Sequence, residues 1–366
     1  MVIPVESHVH TRGRNLTRAL VPPSSLAVVD PIRDPRWAAL AQAAPGGCAF
    51  HHPAWLALLE KVYGYPVIAC VVLDDQGAFV AGLPMALVGG RVNRARLVSL
   101  PFSDAVAPLA RDARPSQWHR LSIALHQLER LHRLPIEVRG ELPDGIRRQP
   151  TAMYRQHTLS LAPGYDAVVR AMKPQVPRGE RRARREGLLV EIRTDGDALA
   201  EFFRLHLHTR RRQGVPTQPR RFIMAFEDLF AAGLGFIVLV RDGSVPAAAA
   251  VFLSANGTLS YKYGASDPRL LAKRPNNLLF MDTIRWACDN GLERLDFGRT
   301  EVGHDSLCSF KRSFGAVETS LEYSNLAGVH VPARRRGHGL AAAVIRRSPP
   351  FVGRLAGELL YRDFAA

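Results

Sequence analysis

Two short segments in the last quarter of the chain carry residues that could do chemistry. Residues 295–300 (LDFGRT) have the pattern of a buried strand that ends in polar side chains, and residues 310–315 (FKRSFG) follow shortly after. Lys311 is one of only five lysines in a chain with 49 basic residues. Arginine stays charged near neutral pH, whereas burial can tune the pKa of a lysine. Lys311 is therefore our candidate catalytic residue.

Polar residues at the end of this strand are further candidates. Asp296 and Arg299 come at its C-terminal end, where open α/β sheets bind ligands. Asp296 could orient an incoming amine or hold Lys311, and Arg299 could bind a phosphate or carboxylate. The alternative is a structural Asp–Arg pair. On another strand, simple alternation predicts that Tyr261 and Tyr263 share one face, either in the core or lining a cleft.

Length and composition bound the class of protein. The chain has 366 residues, of which 47% are hydrophobic and 22% charged, as expected for two globular domains. No apolar run reaches the ~20 residues that span a bilayer, and residues 1–17 lack the apolar core of a secretory signal. We expect a cytoplasmic protein, with peripheral contact to the inner membrane face as an alternative.

The net charge and the spacing of metal-ligating residues indicate which classes of ligand to expect. The net charge of +16 favours an anionic partner, although heavy arginine usage alone would also produce it. The four cysteines and thirteen histidines lack metal-binding spacing, so we predict no metal site and no tightly bound cofactor.

The order of predicted elements indicates an α/β protein with a mixed sheet in each of two similar halves. We predict a disordered segment (1–25), a first domain (26–155), a second, catalytic domain (156–325) and a basic tail with short helices (326–366). Residues 334–339 (RRRGHG) match a phosphate-binding R-x-x-G-x-G pattern. They lie beyond the last predicted strand, so we favour a tail segment over a cofactor loop.

A dense basic helix is predicted around residues 178–185. Its arginines, Arg181 and Arg185 among them, could bind the phosphates of tRNA or of a nucleotide-linked acceptor. The alternative is a solvated helix face.

The motifs together resemble the FemAB-like branch of the Gcn5-related N-acetyltransferase (GNAT) superfamily. The resemblance covers residues 26–325 and the tail. It rests on the order and spacing of these segments: YGYP (63–66), LPFSD (100–104), RRARREG (181–187), YKYGAS (261–266), DFGRT (296–300) and FKRSFGA (310–316).

The resemblance implies two tandem GNAT-like domains and an acyltransferase. It implies that Lys311 stabilises the oxyanion, that Phe310 shapes the pocket, and that Asp104 belongs to a cluster facing the acceptor; a turn aspartate is the alternative for Asp104. In the best-understood relatives an aminoacyl group moves from tRNA to an amine of a peptidoglycan precursor. This chain lacks their inserted helical arm, so acyl-CoA remains an alternative donor. The acceptor is expected to be a small or lipid-linked amine of a cell-envelope or polysaccharide precursor. A non-catalytic protein that binds nucleic acid or a nucleotide sugar is a further alternative.

Overall fold

The computed structural model describes residues 27–89, 94–326, 343 and 345–364. The segments predicted as a disordered N-terminus (1–25) and as the R-x-x-G-x-G match (334–339) lie outside the described residues. Two compact units are present. The first contains the described residues through Met153, together with residues 321–326 and 362–364. The second contains Tyr154–Ser320 and the C-terminal helix as far as Tyr361. No described helix is both long and apolar enough to cross a bilayer.

The first unit is a mixed sheet covered by helices. Strand β2 is apolar throughout and forms with β3 the hairpin predicted across residues 74–77, while β4 and β6 pair in parallel. The end of β13 adds antiparallel to β6. Its elements are β1 (Ala27–Val29), α1 (Pro35–Ala43), α2 (Pro53–Tyr63), β2 (Val67–Leu73), β3 (Phe79–Val88), β4 (Arg96–Val98), β5 (Leu109–Ala110), α3 (Pro115–His132), β6 (Ile136–Arg139), the start of β7 (Arg148–Ser160) and the end of β13 (Val317–Leu326).

The second unit has the strand order β7-β12-β11-β10-β9-β8. All neighbours are antiparallel except β11 and β12, which are parallel, as a crossover through a helix requires. Its further elements are α4 (Tyr165–Ala171), α5 (Gln175–Arg185), β8 (Leu188–Arg193), α6 (Gly196–Gln213), α7 (Arg220–Met224), α8 (Phe226–Ala231), β9 (Gly235–Asp242), β10 (Val245–Ala255), β11 (Thr258–Ser266), α9 (Pro275–Asp289), β12 (Arg294–Glu301), α10 (Asp305–Ser313) and α11 (Pro350–Phe364).

The basic helix predicted around residues 178–185 is present as α5. It is separate from α4 because Pro174 lacks an N–H and interrupts the hydrogen-bond ladder. Helices α7 and α8 were not predicted, since residues 220–231 are too short a stretch to show helical periodicity clearly. The mixed α/β fold itself is confirmed.

Aromatic side chains form the centre of the second core. Phe280 on α9 lies 5.3 Å from the ring centroids of both Phe297 and Phe314, and 5.7 Å from that of Phe310. These rings fasten α9 and α10 onto β12, since edge and tilted contacts stabilise aromatic pairs beyond simple burial. The two segments singled out in the sequence are thereby held together.

One buried histidine makes the stability of this unit dependent on pH. His206 on α6 is buried, and its Nε2 lies 2.6 Å from Oε1 of Gln218. Burial, with a smaller contribution from Arg210, lowers the pKa of His206 from 6.5 to about 3. Between these values the unfolded chain binds a proton that the folded protein does not. Stability therefore falls as the pH falls through this range.

Replacing His206 with glutamine should flatten this dependence. In His206→Gln the free energy of unfolding should change with pH less steeply than in the wild type, by up to about 1.4 kcal/mol per pH unit. Urea titrations from neutral pH to about pH 5 measure this slope. Exposed His208 on the same helix provides the control variant His208→Gln, which should keep the wild-type slope. An unchanged slope in His206→Gln would show that the folded protein also protonates His206.

Candidate functional site

The parallel strands β11 and β12 are joined over a short distance only. Pairing involves Thr258 with Arg294, Leu259 with Leu295 and Ser260 with Asp296, and it stops there although both strands continue. Each strand keeps its antiparallel neighbour on the other side, β10 and β7 respectively. An opening therefore lies inside the sheet, where backbone polar groups of two strands face each other without ladder pairing.

A bulge in β11 changes which side chains reach each face. Val251 pairs with Tyr263 and Phe252 with Tyr261, so Lys262 is the extra residue. Our prediction that the two tyrosines share a face is wrong, because alternation breaks at this bulge. Tyr261 packs on Phe280, at 5.1 Å between ring centroids, and burial raises its pKa to about 12.

Tyr263 belongs to the opposite face of the sheet. Its ring lies 5.7 Å from that of His206 and 6.1 Å from that of Phe226. The two tyrosines therefore belong to different layers of the second unit and cannot line one wall of a cleft together.

A second bulge, in β12, organises the candidate residues. The register shifts between Asp296 and Arg299, and Gly298 has φ of 69°, a conformation that glycine adopts without strain. Oδ1 of Asp296 accepts the Gly298 N–H at 2.8 Å, and Oδ2 accepts from Nε2 of Gln156 at 3.0 Å. The carboxylate of Asp296 thus fixes the bulge.

Lys311 on α10 is fastened to this same bulge. Its side chain is buried, with 3% of the residue exposed, and Nζ donates to the carbonyl of Gly298 at 2.7 Å and to Oγ1 of Thr300 at 2.8 Å. The ammonium is held in low-dielectric surroundings, where its field acts more strongly than in water. Lys311 and Asp296 therefore meet at one turn of backbone, as the sequence suggested.

Arg299 projects from the exposed side of the bulge. Its guanidinium lies 4.4 Å from the centre of the Tyr154 ring. This contact holds the guanidinium over an aromatic face.

A His–Glu–Cys cluster lies beside Lys311, with His157 and Cys308 buried and Glu318 partly exposed. Nε2 of His157 is 3.0 Å from Oε2 of Glu318, and burial together with the charge of Lys311 lowers the pKa of His157. Ligand atoms of His157, Glu318 and Cys308 lie within 4.8 Å of one another. Glu318 already accepts from Arg155 at 2.8 Å, so nearby cations oppose binding of a metal ion. Sequence reasoning missed this cluster because 161 residues separate His157 from Glu318.

Next to Phe310 is a cavity of about 520 Å³. Positions 175, 178, 179 and 182 recur at helical spacing and turn one face of α5 toward it, so Arg178 and Arg182 line the cavity. Arg181 and Arg185 are exposed and do not line the cavity. The lining residues are Gln175, Val176, Arg178, Gly179, Arg182, Arg274, Asn277, Ser306, Ser309, Phe310 and Ser313.

Asp104 belongs to the first unit. It lies in a loop after β4, which ends at Val98. Leu100 and Phe102 in this loop have φ of 60° and 62°, a conformation that is uncommon for such residues. The backbone carbonyl of Asp104 accepts from the hydroxyl of Tyr323 at 2.6 Å.

Comparison with known proteins agrees with this architecture. Residues 170–312 match the family described as "Acetyltransferase (GNAT) domain". The crystal structure of FemX superposes with a TM-score of 0.68 at 13% identity, over 83% of this chain and 97% of that one. A conserved protein of unknown function from Bacteroides thetaiotaomicron VPI-5482 has a TM-score of 0.53 at 12% identity, over 81% and 97%. No curated protein matches.

The second unit thus contains a GNAT domain, and the chain is an acyltransferase. Over most of its length the chain has a fold similar to that of FemX, and residues 170–312 match a GNAT domain. The GNAT domain and the mixed α/β fold class expected from the sequence motifs are confirmed.

Loss of the Lys311 ammonium should destabilise the protein. Lys311→Met keeps most of the side-chain volume but leaves the Gly298 carbonyl and the Thr300 hydroxyl without their donor. We expect the free energy of unfolding to fall by about 1–3 kcal/mol. Lys273 provides the control, because its ion pair with Asp242 is partly exposed and Lys273→Met should cost only about 0–1 kcal/mol. Equal losses in the two variants, measured by urea unfolding, would contradict this.

Proposed function

We propose that this protein transfers an aminoacyl or acyl group to an amine of a cell-envelope, polysaccharide or related precursor. In this proposal the reaction takes place in the second unit, where pairing between β11 and β12 stops. The observation that carries the proposal is the buried ammonium of Lys311, fixed on the β12 bulge. A lysine so placed has a defined position relative to the backbone groups of the opening.

The chemistry needs stabilisation of a negative charge. When the amine nitrogen attacks the acyl carbonyl, a C–N bond forms and the carbonyl oxygen becomes an oxyanion. The oxyanion then collapses, the bond to the donor's oxygen or sulfur breaks, and the amine's proton leaves with that group or to solvent. The fixed charge of Lys311 stabilises the oxyanion through its field, without reorganising during the reaction.

Asp296 suits a supporting role in the same reaction. Its carboxylate carries negative charge at the bulge, bonded to the Gly298 N–H and to Gln156. It attracts a cationic amine before the amine loses its proton, and it holds the Gly298 carbonyl against Lys311. Asp296 thus both orients the acceptor and positions the lysine.

The donor site is proposed to be the cavity beside Phe310. Arg178 and Arg274 line it, and neither forms an ion pair with any residue that the structure describes. Guanidinium groups without acidic partners bind phosphate well. Aminoacyl-tRNA and acyl-CoA both carry phosphates, so the cavity is suited to either donor. A transfer experiment distinguishes them.

A transfer assay separates the two donors. The protein is incubated with charged tRNA or with acyl-CoA, together with amine acceptors such as peptidoglycan precursors and amino sugars. Transfer from tRNA that RNase abolishes identifies an aminoacyl-tRNA donor, and transfer from acyl-CoA identifies the other. Absence of transfer from both, with a folded protein and a broad set of acceptors, would contradict the proposal.

Lys311→Met should lower kcat more than it changes the KM for the donor. We expect a loss on the order of 10²–10³-fold in kcat, as for removal of one oxyanion-stabilising donor. Assays run well below the melting temperature of the variant, with its fold checked by circular dichroism, exclude simple unfolding. Thr300→Val removes one bond to Lys311 but keeps the ammonium, so its loss should be much smaller. A folded Lys311→Met protein with wild-type kcat would refute the role of Lys311.

Arginines that line the cavity and arginines of α5 outside it should differ in their effect on the donor. Arg178→Ala and Arg274→Ala should each raise the KM for the donor on the order of tenfold, because a charge-assisted hydrogen bond is lost. Arg181→Ala and Arg185→Ala are matched controls, because these exposed side chains do not line the cavity, and they should leave KM near the wild-type value. The reverse pattern would place the donor phosphates at Arg181 and Arg185, outside the cavity.

A further inference from the structure

A second arginine-lined cavity lies in the second unit, with a volume of about 630 Å³. None of its lining residues belongs to the cavity beside Phe310. Four elements contribute arginines to it: Arg193 ends β8, Arg204 comes from α6, Arg220 begins α7, and Arg354 comes from the C-terminal helix α11.

The charges lining this cavity are not balanced within the protein. Arg193 is bonded to Asp195 at 2.6 Å, and Glu201 to Arg241 at 2.9 Å, so these two groups are satisfied. By contrast, the guanidinium groups of the three remaining arginines, Arg204, Arg220 and Arg354, have no acidic partner among the residues that the structure describes.

One acidic side chain opposes an anion in this cavity. Asp197, in the first turn of α6, also lines it and forms no ion pair within the described ranges. Among the residues that line the cavity, three unpaired positive charges and one unpaired negative charge leave a surplus of two; Glu358, whose carboxylate accepts the N–H of Arg220, is not one of them. A ligand with two negative charges would balance it.

The position of Arg354 depends on how closely α11 packs against the rest of the second unit. The carbonyl of Gly353 accepts the N–H of Thr217 at 3.2 Å, and Oε1 of Glu358 accepts the N–H of Arg220 at 2.7 Å. A methyl group on Gly357 would lie 1.8 Å from the carbonyl oxygen of Thr217, so only glycine allows this approach. Arg354 lies one turn from these contacts.

We propose that Arg204, Arg220 and Arg354 form a phosphate-binding site, distinct from the donor cavity, for a phosphomonoester or diphosphate group. The arginine fork matches the geometry of phosphate oxygens, and a dianionic group matches the charge surplus. Such a group occurs on the headgroup of an anionic lipid and on a soluble nucleotide-linked molecule. The C-terminal helix is part of this site, because it contributes Arg354 and contacts the backbone of Arg220.

Binding measurements on the full chain test the proposal. Inorganic pyrophosphate titrated by calorimetry probes the soluble source, and flotation with phosphatidylcholine vesicles containing phosphatidic acid probes the lipid source. All measurements use the Arg274→Ala background, so that phosphate binding in the donor cavity is reduced. Arg220→Ala and Arg354→Ala should each weaken binding on the order of tenfold in at least one arm.

Two further variants separate this site from a general effect of charge. Asp197→Asn should tighten binding several-fold, since it removes the opposing negative charge while nearly keeping the shape of the side chain. Gly357→Ala should weaken binding although every charge remains, because α11 can no longer dock. Arg346→Ala and Arg347→Ala remove exposed charges outside the cavity and should have little effect.

The outcomes distinguish a soluble phosphate ligand from a lipid headgroup, and they also test whether the site exists. Loss in the pyrophosphate arm supports a soluble phosphate ligand, and loss in the vesicle arm alone supports a lipid headgroup. If Arg220→Ala and Arg354→Ala bind like their parent in both arms, or if their loss of affinity is no larger than that of the control Arg346→Ala, the site does not exist. Neither result depends on acyl transfer, so these measurements test the phosphate site independently of the proposed function.

Discussion

The hydrogen bond from Lys311 to the carbonyl of Gly298 is the contact on which the candidate site depends. A buried ammonium is costly unless hydrogen bonds replace its hydration, and here the Gly298 carbonyl and the Thr300 hydroxyl do so. The carbonyl points to Lys311 because Gly298 has positive φ. Asp296 holds that turn from the other side through the Gly298 N–H. Strand, bulge and helix are therefore one polar unit, covered by the rings around Phe280.

The two bulges explain how a sheet interior can contain an opening. Lys262 interrupts β11 and Gly298 interrupts β12, and parallel pairing between these strands ends close to both positions. Ladders with β10 and β7, interrupted at the bulges, keep the outer side of each strand bonded. The cost of leaving inner backbone groups unpaired is acceptable only where a ligand or water can replace the missing partners. The opening is thus a feature of the fold that suits an acyl group.

Local patterns predicted the fold and part of the site, and long-range contacts supplied the rest. The meeting of Lys311 with Asp296 could be predicted, because only fifteen residues of strand, turn and helix separate them. Tyr261 and Tyr263 could not be placed, since a single inserted residue reverses every face that period-two alternation assigns. The pairing of His157 with Glu318 leaves no sequence signal at all. For α5, helical spacing does not separate Arg178 from Arg181, which are three residues apart, and only the structure shows that Arg178 lines the cavity while Arg181 does not.

Net charge alone does not reveal where a basic protein binds its ligands. Many arginines of this chain are used internally: Arg193, Arg241 and Arg184 each contact two carboxylates. Such ion pairs add no net positive charge to the total and leave little for a partner. The informative places are those where several guanidinium groups meet without a matching number of acids, and the two cavities of the second unit have this property. The charge surplus of +16 is therefore not a uniform background but is available to ligands at particular positions of the fold.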